Sequence, residues 1–294
     1  MGDVAVPTKR VQRLAGADNL EFVRGVFHAL ITRGELHLPV LPEVAARVVA
    51  VAGNPDTESA GLARLIVGDQ SLAAHVMRVA TSAINQPRHR IESLQQAISW
   101  LGMAVISDIA FTVAVQGKLL NVPGQKARVR LMWRHAVATA LWARVVAESL
   151  GSRADASYLS GLLHEIGKPA CVQVIVELSG RTATPLSDEE FDALIAEFHV
   201  EVGAQLALSW HLPENVLAVV RDWANWSEAT EEREACAIVH LAHHLAGHML
   251  AGSQMLAEDA LAADPAAAHL GLGRAEIAKL CAQTEHVRAL TDGY

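Results

Sequence analysis

The stretch Leu162-Leu163-His164-Glu165-Ile166-Gly167-Lys168 sets the strongest condition on how this chain can fold. It places a histidine and a carboxylate side by side in an apolar run. Ionisable groups are rarely buried unless they are paired or bound to a metal. A fold that buries these leucines must therefore bring partners to His164 and Glu165 from elsewhere in the sequence.

The surrounding sequence is written in helical period. From Asn19 to about Arg33 the residues Leu20, Val23, Val26, Phe27 and Leu30 recur on one face. Leu38-Pro39-Val40-Leu41-Pro42-Glu43 is an extended entry, with Pro42 suited to open a helix to about Ala52 that Asn54-Pro55-Asp56 breaks. A helix over roughly 58–68 carries Leu62, Leu65 and Ile66, and Asp69 can cap the next, from Gln70 to about Ser82. Ser93 and Gln96 match a capping box, with Gly102 just past the end of that helix. A longer segment runs to about Leu120, and Asn121-Val122-Pro123-Gly124 separates the two halves.

In the second half a helix spans about 127–149, with Leu131, His135, Ala138, Trp142, Val145 and Ser149 on its inward stripe and Gly151 at its end. Asp155 is the expected cap of the helix that carries His164 and Glu165, and Lys168-Pro169 lies near its end. Ser187 and Glu190 form another capping box before a helix reaching Trp210, and Leu212-Pro213 restarts the chain to about Trp226. Glu231 to about Leu250 holds His240, His243, His244 and His248, and a last helix runs from Arg274 to about Arg288. Aromatic residues are only 4% of a chain that is 51% hydrophobic, and no strand, repeat or glycine-rich phosphate loop stands out. The expected fold class is all-α.

A net charge of -8 argues against general affinity for nucleic acid. Cys171, Cys236 and Cys281 have no CxxC spacing and read as free thiols of a reducing compartment. Residues 1–13 hold no apolar leader, and Val105–Val115, interrupted by Asp108, is too short to span a membrane. The expected setting is the cytoplasm.

Two sets of motifs resemble one family. The first is Leu38-Pro39-Val40-Leu41-Pro42-Glu43, Leu65-Ile66 through Asp69, Val79-Ala80-Thr81-Ser82-Ala83, Ile91 to Ile98, and Leu101-Gly102. The second is Trp133-Arg134-His135, Gly161 to Lys168, His199 through Gly203, and Trp210-His211-Leu212-Pro213. In this order and spacing they resemble the HDOD domain, the HD-related output domain of bacterial signalling proteins. The resemblance implies an HDOD domain over 36–250, made of an N-terminal helical subdomain (36–122) and an HD-like helical bundle (126–250). It leaves an N-terminal extension (1–35) and a helical tail (251–294). Gln70 and Thr81 depart from the family's usual proline and asparagine.

HD-type phosphohydrolases hold metal through a histidine, a His-Asp pair and a later Asp, and a second metal uses further histidines. By that resemblance the first histidine is His135 and the pair is His164-Glu165. His243 stands where the late Asp is expected, and His199 matches a downstream histidine of the wider superfamily. Trp223 and Ala224 replace a His-His pair, so a two-metal site looks broken. His135, His164, Glu165 and His243 still make a reasonable shell for one divalent transition metal (Fe, Mn, Zn or Ni). Glu in place of Asp moves the carboxylate out by about 1.5 Å. The other reading makes each histidine a satisfied core residue bonded to Glu165 or to backbone carbonyls.

The resemblance and the replaced ligands together point to a non-catalytic regulatory, signal-transduction module with no cofactor. Its partner is a signalling protein or small ligand, not nucleic acid or membrane. The alternative is a single-metal phosphohydrolase acting on a nucleotide or other phosphoester. The Gly-Tyr-Pro element of cyclic-dinucleotide-specific relatives is absent. His240, His244 and His248 read as a solvated face, Lys168 as a complement to a helix C-terminus, and Trp133, Trp142 and Trp210 as core. Trp223 and Trp226 are expected to plug the space that a catalytic relative leaves open.

Overall fold

The computed structural model describes residues 19–53, 63–80, 93–119, 121–180, 185–251 and 258–294. Among the described residues every regular element is helical. In order they are α1 (Asn19–Arg33), α2 (Glu43–Gly53), α3 (63–68), α4 (Gln70–Ala80), α5 (Leu94–Leu119) and α6 (Lys126–Leu150). Then come α7 (Ala154–Leu163), α8 (Gly167–Ser179), α9 (Asp188–Ser209), α10 (Glu214–Asp222), a 3-10 turn (Trp223–Glu228) and α11 (Arg233–Ala251). The tail adds α12 (Glu258–Ala262), α13 (Pro265–His269), α14 (Arg274–Cys281) and α15 (Thr284–Thr291). The all-α expectation holds. The Val79–Ala83 and Ile91–Ser93 motifs fall largely outside the described residues.

Several local signals act as the sequence suggests. Asp69 Oδ1 accepts the backbone N–H groups of Ser71 and Leu72 at 3.0 Å, which caps α4. Ser187 and Glu190 close a reciprocal capping box on α9. Gly102 breaks α5 with φ 80, and Gly151 ends α6 in the left-handed region at φ 69.

The bundle core is α6, α7, α8, α9 and α11, with α6 packed on both α7 and α11 and α8 packed on α9. The middle of α6 is buried nearly all round, from Ala136 through Ala143. The single inward stripe expected there fails at both ends, because Leu131 is 68% exposed and Ser149 also faces solvent. Trp133, Trp142 and Trp210 are core residues, as expected.

In the N-terminal half, α2 and α4 pack against α5. By length and composition α5 could cross a membrane. Here it delivers Ile106, Ile109, Phe111 and Val115 to the core, and its Asp108 pairs with Arg144 of α6. Helix α1 packs on α8 and α9 of the other half, where Phe27 meets Phe198 with ring centroids 4.6 Å apart and Gln205 donates to the carbonyl of Ile31 at 3.1 Å. The two proline motifs meet as well, since Trp210 Nε1 donates to the carbonyl of Pro39 at 2.7 Å. The tail returns to α6, with Arg134 bound to Asp292 at 2.8 Å and the Tyr158 hydroxyl 3.3 Å from that of Tyr294.

Four further expectations need correction. Helix α7 stops at Leu163, so His164 and Glu165 sit in a turn, not within a helix. Asp155 does not cap α7; it lies 3.6 Å from Arg144 instead. Lys168 stands in the first turn of α8, the end of a helix dipole that disfavours a cation, and its charge is met by Glu165. The last helix is two, α14 and α15.

Candidate metal centre

The turn between α7 and α8 is held by two close backbone approaches. A Cβ on Gly161 would meet Ala140 Cα at 2.9 Å, so α7 lies directly on α6. A Cβ on Gly167 would meet the carbonyl oxygen of His199 at 1.8 Å, so α8 starts against the backbone of α9. Between these clamps His164 points inward, fully buried, and its Nδ1–H donates to the Gly161 carbonyl at 2.7 Å. That bond leaves Nε2 as a bare lone pair in neutral imidazole.

Three nitrogens then converge from three places in the chain. His243 Nδ1, from α11, lies 3.0 Å from His164 Nε2 and 2.9 Å from His135 Nε2, from α6. Glu165 Oε2 is 3.9 Å from His164 Nε2, and its other oxygen accepts from Lys168 Nζ at 2.5 Å. Ligand atoms of His135, His164, Glu165 and His243 all lie within 4.8 Å of one another. The four residues that the sequence nominates are therefore brought together.

The histidines are not satisfied one by one by Glu165 or by backbone carbonyls. Among the described residues only His164 has a backbone partner at the centre, while the inward nitrogens face each other. Neutral imidazoles meet both contacts only if His243 carries its proton on Nδ1 and divides it between the other two nitrogens; every other tautomer sets lone pair against lone pair or N–H against N–H. Extra protons are resisted. Burial lowers the proton affinity of His164 to about 4, and burial followed by the neighbouring imidazoles depresses that of His243 further. His135 is lowered too, by burial first. For Glu165 burial favours the neutral acid, but His164 and Lys168 outweigh it and hold the carboxyl below its usual range.

This donor set fits a divalent transition ion. Bonds of about 2.0–2.1 Å to imidazole place neighbouring ligand nitrogens roughly 2.9–3.4 Å apart. The Gly161 carbonyl supplies the outer hydrogen bond that fixes the His164 tautomer.

The remaining candidate positions divide. Trp223 is buried against the centre, its ring centroid 4.5 Å from that of His243 and 4.8 Å from that of His164. Ala224 faces solvent, away from the four donors. Trp226 packs on His240 and His269 instead. His199 returns its Nδ1–H to Ile195 and Ala196 of its own helix, so that motif serves the site through its backbone at Gly167. Below the centre a cavity of about 10 Å³, room for one water, is lined by Met132, Trp133, Leu162, Glu165, Ile166 and Pro169. Sequence reasoning missed Asp264, which reaches His240 and His244 from beyond α11. A lone Asp before a proline offers no spacing signal for this.

Residues 38–225 match the family model of the HDOD domain. A protein described as uncharacterised, from Treponema pallidum (strain Nichols), is 25% identical over 205 residues, 66% of this chain. The match spans only 39% of that relative's length. An HDOD domain protein of unknown function from Geobacter sulfurreducens superposes with TM-score 0.70 at 21% identity, covering 93% of this chain and 97% of that one. A protein of Shewanella amazonensis SB2B, provisionally described as a metal-dependent phosphohydrolase, gives 0.69 at 20% identity over 93% and 99%. One of Marinobacter aquaeolei VT8, provisionally described as a signal transduction protein, gives 0.65 at 23% over 94% and 66%. At these identities the structural likeness establishes the fold.

Proposed function

The chain belongs to the HDOD domain family, and on that premise we propose that it is a regulatory signal-transduction module built around one divalent transition metal. His135, His164, Glu165 and His243 are the residues that would hold the ion. The observation that carries this is the convergence of three imidazole nitrogens that at best divide one proton between two contacts. A bound metal would supply Lewis-acid polarisation and an acidified water at such a site. The chain's own groups limit the use of that chemistry. Trp223 covers two of the ligand rings, and the cavity that Glu165 lines, about 10 Å³, has room for about one water. A nucleotide-sized ligand needs a pocket of roughly 300 Å³ or more. The metal's work is therefore to lock α6, α7 and α11 together, and output passes through contacts with a signalling partner in the cytoplasm. Lys168 keeps the Glu165 carboxylate ionised and oriented.

The four-donor convergence equally suits the second reading, a single-metal phosphohydrolase. Protein purified without a histidine tag separates the two. One equivalent of Fe, Mn, Zn or Ni, lost in His135→Ala, together with no turnover of p-nitrophenyl phosphate or bis(p-nitrophenyl) phosphate, is the expected result. Turnover abolished by His164→Ala would establish the phosphohydrolase. Metal-free protein after growth in supplemented medium would overturn the metal centre itself.

A further inference from the structure

Helix α11 presents a second donor set beside the first. His240 and His244 are one turn apart on a common face, with ring centroids 4.4 Å apart, whereas His243 is rotated away toward the centre described above. Asp264 enters from the N-cap of α13, its side chain only 6% exposed. One of its oxygens is fixed by the backbone N–H of Ala266 at 2.8 Å. The other, Oδ2, lies 2.6 Å from His244 Nδ1 and 3.8 Å from His240 Nε2. The three ligand atoms are within 4.8 Å of one another.

The orientation of His240 is the informative part. Its Nδ1–H donates to the carbonyl of Trp223 at 3.2 Å. In neutral imidazole this leaves the Nε2 lone pair facing a carboxylate oxygen at 3.8 Å, two acceptors too far apart for a hydrogen bond and electrostatically opposed. A helix cap and a His244–Asp264 hydrogen bond explain Asp264 and His244, but they leave His240 aimed at an unfavourable neighbour. A cation between the three resolves it. The backbone carbonyl behind the ring is the outer partner that metal-bound histidines commonly have.

We propose that His240 Nε2, His244 Nδ1 and Asp264 Oδ2 form a second binding site for a divalent transition metal, of the zinc or cobalt class, separate from the His135–His243 centre. Two imidazoles and one carboxylate are a borderline donor set that suits such ions. His244 is 34% exposed and His240 17%, so solvent completes the shell and the ion exchanges. The two sites share a wall. Trp223 packs its ring on His243 and His164 and gives its carbonyl to His240, so occupancy of one biases the position of the other.

Chelator-stripped, untagged full chain titrated with Zn²⁺ by calorimetry and with Co²⁺ by visible absorption tests the site. His244→Ala and His240→Ala are each expected to bind one equivalent fewer than wild type. Asp264→Asn retains an oxygen to cap α13 while removing the carboxylate, and is expected to weaken the same equivalent at least tenfold with an unchanged melting transition. Wild-type stoichiometry and Co²⁺ spectrum in all three variants would overturn the proposal. His135→Ala reports on the other centre alone. Loss of an equivalent there with none lost in the His244 variant sinks this site and leaves the first intact, and the reverse pattern does the opposite.

Discussion

A Cβ on Gly167 would stand 1.8 Å from the carbonyl oxygen of His199 and 2.7 Å from the backbone nitrogen of Gly203. Both are main-chain atoms, so no side-chain rotation relieves the clash. Gly167→Ala is expected to cost about 3 kcal/mol or more, because α8 must move off α9. Glu165 is two residues upstream and moves with it, so metal retention falls in the same variant. Gly247→Ala, in α11 with nothing within 4 Å, is the control. It should be neutral or stabilising by up to about 1 kcal/mol. Urea denaturation of both variants, with metal content measured alongside, checks the contrast.

The site is legible in the sequence where chemistry needs a residue type and less so where it needs a backbone. The resemblance to HD-type phosphohydrolases nominates His135, His164, Glu165 and His243, and they meet. The helix around them is harder to read. Leu162-Leu163 and Ile166 keep helical period through a turn, so periodicity gives no sign that His164–Ile166 leave the helix. Gly167 is required by its close approach to the His199 backbone, a long-range fact that no local pattern carries. For the same reason the solvated-face reading of His240 and His244 lacks Asp264, supplied across residues that hold no periodic signal. The Lys168 expectation fails for a simpler reason. Its dipole argument depends on which helix end it occupies, and element boundaries are the least reliable part of a sequence reading.

Trp223 is the side chain through which the metal centre should be visible. Its ring lies against two of the four ligands. Binding of Co²⁺ or Ni²⁺ is expected to quench part of the tryptophan emission, and Trp223→Phe to remove that part. Trp223→Ala should destabilise by about 3–5 kcal/mol and expose the histidines, speeding metal loss to a chelator. Equal quenching in wild type and Trp223→Phe would place the ion elsewhere.

Asp108 and Arg144 tie the two halves together inside the core, with side chains 10% and 14% exposed. Arg144 also lies over the ring of Tyr158, its guanidinium carbon 4.7 Å from the centroid. Asp108→Ala leaves the half-buried Arg144 guanidinium only the exposed Asp155 at 3.6 Å and is expected to cost about 3 kcal/mol. Asp108→Ala combined with Arg144→Met should recover a large part of that loss, because no charge is then left unpaired. A double-mutant cycle by chemical denaturation gives the coupling directly.

Acid should unfold the metal-free protein through the same histidines that would bind metal. In the unfolded chain His164 titrates near its ordinary value of 6.5, whereas burial lowers it to about 4 in the fold. Between those values the unfolded chain takes up a proton that the folded one refuses, so stability rises with pH across this window. It is full above about pH 7 and falls away as pH drops toward 4, by about 3 kcal/mol for a shift of this size. His135 and His243, also lowered, add in the same direction. Glu165 does not shape this window. Its lowered carboxyl stabilises the fold above its ordinary value of 4.5, and that contribution is lost only as pH falls further. Melting temperatures of chelator-treated protein between pH 7 and 4.5 should therefore fall steeply, and His164→Gln should flatten the slope without abolishing it. An unchanged slope in that variant would mean that His164 takes up its proton equally in the folded and unfolded chain, so that burial does not hold its inward nitrogen bare.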